Sequence, residues 1–131
     1  MQDIFTADAL PAGREQEPVF FPVKIKDAMS EIMNQQIYCV SIFANPSIEM
    51  RSYMLEVNGS VPPEIHPRSF QILQVLSGHL DVKLREATHH LRSGDFFQIP
   101  PNTQHELVNK SDGRTRYIST YTPAAHPPGE I

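Results

Sequence analysis

The sequence has one cysteine in 131 residues, no cluster of basic side chains and no long apolar run. A lone Cys39 excludes an intramolecular disulfide, and its place in an apolar stretch reads as a buried structural thiol in a reducing compartment. Lys and Arg come no closer than spaced pairs such as Lys24 and Lys26 or Arg114 and Arg116, within a net charge of -4, which argues against nucleic acid as a partner. The longest apolar stretches, such as Ile37 to Ala44, fall far short of the roughly 20 residues a membrane helix needs. No basic region followed by an apolar one opens the chain, so a cytoplasmic protein off the membrane is the expectation.

Glycine is scarce beside proline, six against twelve. That proline content is about twice the average and leaves little room for helices longer than two or three turns. What is present is a succession of short strand-like segments: Ile37 to Ala44, Met50 to Val57, Phe70 to Leu76, His79 to Arg85, Phe96 to Ile99, Glu106 to Val108 and Arg116 to Thr122. Asn45-Pro46, Asn58-Gly59, Ser77-Gly78, Ser93-Gly94-Asp95 and Ser111-Asp112-Gly113 punctuate them with residues that tolerate positive φ or fix it. In His79 to Arg85, Leu80, Val82 and Leu84 alternate with polar residues, the pattern of a half-buried antiparallel strand. Seven such strands in one domain predict an all-β barrel or sandwich.

The first 35 residues differ from the rest. Residues 1–22 show neither period and read as an arm packed on the body, and Asp27 to Asn34 places Ala28, Met29, Ile32 and Met33 on one face of a short helix. The domain proper is then 36–131, ending in a proline-rich tail from Pro123 that is expected to lie across the barrel or a partner. Arm and tail are suited to crossing into a second subunit, so a homodimer is expected.

Two stretches carry polar residues at matched spacings. The second of them holds Gly94, Pro100, Asn102, His105 and Asn109; the first holds Gly59, Glu64, His66, Gln71 and Gly78. They resemble the two motifs of the cupin superfamily. In the second, every interval fits, with Asn102 where the family prefers Gly; Asn is the next most tolerant residue of a left-handed turn. In the first, four residues instead of five follow Gly59, Glu64 stands where the family usually has its first His, and Gln71 where it usually has Glu. Tyr121, Pro123, His126, Pro128 and Gly129 are similar to the ending of a group of small bacterial cupins that carry Glu, His and Gln in the first motif. The resemblance spans about residues 50 to 123. It implies a cupin-type antiparallel β-barrel, the double-stranded β-helix or jelly roll.

Alternate residues of a strand share a side, so Glu64 and His66 present a carboxylate and an imidazole to one interior point. Gln71 from the next strand and His105 from a later one complete two nitrogen and two oxygen donors for one divalent ion, zinc, manganese, iron or nickel. The set carries the same single negative charge as the usual three His and one Glu, and resembles that of the superfamily's sugar phosphate isomerases with Glu and Gln exchanged. The resemblance implies a metal-dependent isomerase or dioxygenase acting on a small oxygen-rich molecule, or a non-catalytic ligand-binding or interaction module whose metal site has degenerated. Tyr121 and Arg51 are candidates to orient a substrate, and no general base stands out. Arg68 reads as solvent-facing, His89 and His90 as hairpin surface, His79 and His126 as exposed or packing, and Phe96 and Phe97 as core and barrel-end packing.

Overall fold

The computed structural model describes residues 30–34 and 36–126. Ten strands follow one another: β1 (Ser30–Asn34), β2 (Ile37–Asn45), β3 (Ile48–Leu55), β4 (Ser60–Glu64), β5 (Phe70–Ser77), β6 (His79–Lys83), β7 (Thr88–Arg92), β8 (Phe96–Ile99), β9 (His105–Val108) and β10 (Thr115–Thr122). They build a six-stranded sheet in the order β1-β2-β3-β10-β5-β8 and a four-stranded sheet in the order β4-β9-β6-β7. Every pairing is antiparallel. This is the jelly roll expected from the motifs.

Alternation produces the core. In β3 every second residue is buried, and the same holds along β10 and the first part of β5, because one face of the sheet is turned to the other sheet. Ile37, Tyr53, Leu55, Leu73, Val75 and Tyr117 from the larger sheet meet Val61, Leu80, Val82, Leu91 and Leu107 from the smaller one. Tyr53 and Tyr117 are direct cross-strand partners and stack with centroids 5.0 Å apart. Cys39 is buried in this core, as its sequence context implied.

Several expectations change. The short helix over Asp27 to Asn34 gives way to strand from Ser30 onward, where β1 pairs with β2 through Ser30↔Val40, Glu31↔Cys39 and Ile32↔Tyr38; a tertiary edge outweighs a two-turn amphipathic pattern. The rest of that segment and the arm lie outside the described residues. Strands β4 and β7 had no sequence signal, since β4 contains Pro62-Pro63 and β7 has Leu91 as its one apolar residue. Phe96 is not core: it is 66% exposed, because alternation in β8 turns Phe97 inward and Phe96 out. His89 and His90 do face opposite ways, His89 against the Phe97 ring and His90 onto Asp81.

Two connections hold the sheets in relation. Gly78 links β5 to β6 with φ +80°, and a Cβ there would lie 2.5 Å from Thr115 Oγ1 and 2.8 Å from the Arg114 carbonyl oxygen. Asn109, fully buried after β9, donates from Nδ2 to the carbonyls of Leu55, Glu56 and Gly113 at 2.8 to 3.0 Å. Its Oδ1 accepts from the Ser111 amide and Thr115 Oγ1, each at 2.8 Å. One side chain thereby ties the ends of β3, β9 and β10.

Candidate metal centre

The centre begins with a bulge. Val61 pairs with Leu107 and Glu64 with His105, so three residues of β4 advance while two of β9 do. The extra residue falls at Pro62-Pro63, whose missing N–H groups suit a broken ladder. Without it, alternation from buried Val61 would turn Glu64 outward; with it, Glu64 and His66 face the interior. Glu64 and His105 thus become cross-strand neighbours. Beyond β4, the His66 carbonyl accepts the Asn102 amide at 2.8 Å, and Asn102 takes the left-handed φ of +60° that the motif comparison required.

Among the described residues, Glu64, His66 and His105 each offer a ligand atom, and these atoms lie within 4.8 Å of one another. His66 Nε2 is 3.3 Å and His105 Nε2 3.4 Å from the same Glu64 Oε1. Metal–ligand bonds of about 2.1 Å at tetrahedral to octahedral angles separate neighbouring donors by roughly 3.0 to 3.4 Å, so the set fits a small divalent cation. The His105 tautomer agrees. Its Nδ1 is 2.9 Å from the Thr103 carbonyl, which can only accept, so Nδ1 carries the proton and Nε2 keeps a lone pair. That Nε2 is buried without a hydrogen-bond partner.

Gln71 faces inward from β5, with its Nε2 donating to Ser119 Oγ at 3.0 Å. Its Oε1 is the other buried side-chain atom without a hydrogen-bond partner among the described residues. An orphaned carbonyl oxygen in a polar interior suits a hard cation. Burial raises the Glu64 carboxyl, but the His105 and His66 imidazoles beside it outweigh that and bring its pKa down to about 2, so the carboxylate is ionised at neutral pH. Arg68 is exposed, as expected of a residue that cannot ligate.

A second polar group closes one side of this centre. Tyr121 is buried in β10 opposite Gln71, its ring edge-on to His66 at 5.1 Å and its hydroxyl 3.4 Å from that of Tyr53. Burial pushes the Tyr121 phenol well above its ordinary pKa, so it remains a neutral hydroxyl. Arg51 is also buried, its Nε donating to Glu49 Oε2 at 2.6 Å and its Nη1 lying 3.9 Å from Cys39 Sγ. Glu49 in turn accepts the backbone amides of Ala125 and His126 and faces His126 Nδ1 at 3.1 Å. The tail does lie across the barrel as far as His126, whose ring stands edge-on to His66 at 5.4 Å and to Tyr121 at 5.1 Å. Residues 127–131 are outside the described set.

Glu49 and the place of His126 were not found from the sequence. Glu49 lies just before the strand read from Met50 onward, and its burial follows from the tail that covers it. Burial raises the Glu49 carboxyl, yet the hydrogen bond and charge of His126, with Arg51 and the Ala125 amide, lower it overall. A lowered carboxyl stabilises the fold fully above its unfolded pKa, near 4.5, and loses that contribution as pH falls through the lower folded value. Glu49→Gln should therefore cost about 1–3 kcal/mol at neutral pH. The gap from the parent should shrink as pH falls below about 4.5, read by thermal unfolding across a pH series.

The profile of the family described as "Cupin domain" matches residues 52–121, which include the clustered Glu64, His66 and His105 as well as Gln71. The Uncharacterized protein L612 of Acanthamoeba polyphaga mimivirus is 30% identical over 115 residues, covering 83% of this chain and 71% of that protein. Among solved structures, KdgF from Halomonas sp. superposes with a TM-score of 0.72 at 20% identity, over 78% of this chain and 94% of its own. The polyketide cyclase RemF from Streptomyces resistomycificus gives 0.71 at 18% identity, over 83% of each chain. At such identities these two likenesses bear on the fold alone.

Proposed function

The chain belongs to the cupin family, and from that premise we propose that Glu64, His66, Gln71 and His105 hold one divalent metal ion at which a small oxygen-rich organic molecule is isomerised or cleaved by dioxygenase-type chemistry. The observation that carries the reading is the convergence of two imidazole Nε2 atoms on one Glu64 oxygen, with the His105 lone pair buried and unpartnered. Zinc, manganese, iron or nickel each suit two nitrogens, a carboxylate and an amide oxygen, and thiolate is absent from the set. Such an ion supplies Lewis acidity toward a substrate carbonyl or enediolate oxygen.

The chain's own residues prepare the site for that work. Thr103 fixes the His105 tautomer, and Ser119 fixes the Gln71 amide so that its oxygen is available. Tyr121 keeps its proton and can donate to a substrate oxygen, while Glu49 and the tail hold His126 against the His66 ring. Arg51, paired with Glu49, supplies positive charge to the same interior without an isolated buried cation.

The test is the metal content of protein purified without a His tag, measured by elemental mass spectrometry. Near one ion per chain is expected. No metal, even after incubation with zinc, manganese, iron and nickel, would overturn the proposal in favour of a metal-free ligand-binding module.

A further inference from the structure

The interior around the metal centre holds few charges, and their sum says what the centre can accept. Glu64 and Glu49 are ionised, and Arg51 is the one Lys or Arg buried among the described residues. Asp81, the other buried acid, alternates with inward Leu80 and Val82 and so lies on the far side of the smaller sheet, against exposed His90. Burial lowers the His126 pKa, so that imidazole adds no charge at neutral pH, and imidazoles that ligate a metal are neutral. Two carboxylates against one guanidinium leave the protein's share at -1. A divalent ion turns that to +1, and a mostly buried site pays heavily for a charge left uncompensated. One monoanion neutralises it. A neutral polyol does not, and a phosphate monoester, with its charge of about -1.5 to -2, overshoots.

Hydrogen-bond direction leads to the same class of ligand. Glu49 is committed to the protein: its Oε1 accepts the Ala125 and His126 amides, and its Oε2 accepts Arg51 Nε. The Arg51 guanidinium also acts as a hydrogen-bond donor to the Tyr53 hydroxyl, which lies 3.4 Å from that of Tyr121. A guanidinium can only donate. The two phenolic hydrogens have one contact between them to fill, so one hydrogen is left to give. Followed from Arg51 through Tyr53, the one left is that of Tyr121.

Tyr121 is placed to give that hydrogen to a ligand of the metal centre. Its ring stands edge-on to His66 at 5.1 Å, it is the cross-strand partner of Gln71, and the Glu64 charge acts on its phenol. A buried donor of this kind needs an acceptor. We propose that the ligand of this centre is a small monocarboxylate with an oxygen on the neighbouring carbon, a 2-oxo or 2-hydroxy acid, whose carboxylate accepts the Tyr121 hydroxyl. The assignment rests on the metal-centre reading above and narrows it: the carboxylate supplies the balancing charge, and the oxygen on the next carbon is where the chemistry acts. Sugar phosphates, the substrates of the isomerases whose ligand set this one resembles, fall outside the class.

The experiment is isothermal titration calorimetry of the full chain loaded with zinc, against glycolate and pyruvate. The contrasts are glycolamide, a neutral isostere of glycolate, and dihydroxyacetone phosphate. Glycolate or pyruvate should bind at least about tenfold more tightly than either contrast. Tyr121→Phe should weaken that binding about ten- to a hundredfold, the range for a hydrogen bond to a charged group, with zinc content unchanged by elemental mass spectrometry. Should Tyr121→Phe fail to fold or to hold zinc, the parent decides alone, because glycolate and glycolamide differ only in the carboxylate. Equal binding of glycolamide, tighter binding of dihydroxyacetone phosphate, or no binding of either acid by the zinc-loaded parent overturns the proposal and leaves the metal centre standing. A Tyr121→Phe chain that keeps zinc and binds glycolate as the parent does also overturns it. A parent that takes up no zinc, manganese, iron or nickel overturns the metal reading, and this assignment with it.

Discussion

Replacing His105 with alanine should abolish the stabilisation that divalent ions give the parent. At a free zinc concentration a hundred times its Kd, the parent gains about 2.7 kcal/mol, several degrees in Tm for a domain of this size. Loss of a partner that merely orients a ligand weakens metal sites 10- to 100-fold, so loss of a donor atom should exceed about a hundredfold. At the same zinc concentration the variant would then gain less than about 0.4 kcal/mol. Without zinc the comparison is different in kind. His105 is 1% exposed with an unpartnered Nε2, so alanine leaves a cavity but also removes a polar atom that protein alone does not satisfy. Differential scanning fluorimetry with and without zinc separates the two effects, and exposed Arg68→Ala should shift as the parent does. An equal zinc shift in His105→Ala would mean that the ion, if bound, sits elsewhere.

Asn109→Ala should be the most destabilising of the polar substitutions, by roughly 3–5 kcal/mol in chemical denaturation. Two amide hydrogens serve three carbonyls, those of Leu55, Glu56 and Gly113, and the amide oxygen anchors the Ser111 amide and Thr115 hydroxyl. Alanine leaves these carbonyls and donors without the partner they share, around a side chain that is itself fully buried. Asn109→Asp should do no better, since a carboxylate in place of the donor would face three carbonyl oxygens. A loss below about 1 kcal/mol for alanine would show that the strand ends are held by their ladders instead. This residue belongs to the motif that carries His105, yet its work is architectural.

Most strands could be read in the sequence because alternation and turn residues are local signals. Phe96 to Ile99 matches β8 to the residue, and the turns at Asn58, Gly78, Gly94 and Asn102 take positive φ as their residue types allow. What was not legible depends on distant contacts. Strand β4 is recognisable only with β9 beside it, since its prolines deny it any strand propensity of its own. The inward turn of Glu64 needs the same bulge. Phe96 looked like core because a fully buried strand and one that leaves an apolar side chain on its outer face share one hydrophobic signature. Glu49 and His126, 77 positions apart, meet only because the chain's end returns over its first long hairpin.

The prolines that steer Glu64 inward also bear on how the molecule survives crowding. Strand β4 forms one edge of the smaller sheet. Of two successive strand residues, one would direct its N–H to the open rim; here both are proline, so that rim is short of a donor whichever it is. A stray extended peptide, or the same edge of a nascent copy on another ribosome, finds a ladder with a missing rung. Restoring the N–H at the rim-facing position would extend that template, with fibrous aggregation as the cost.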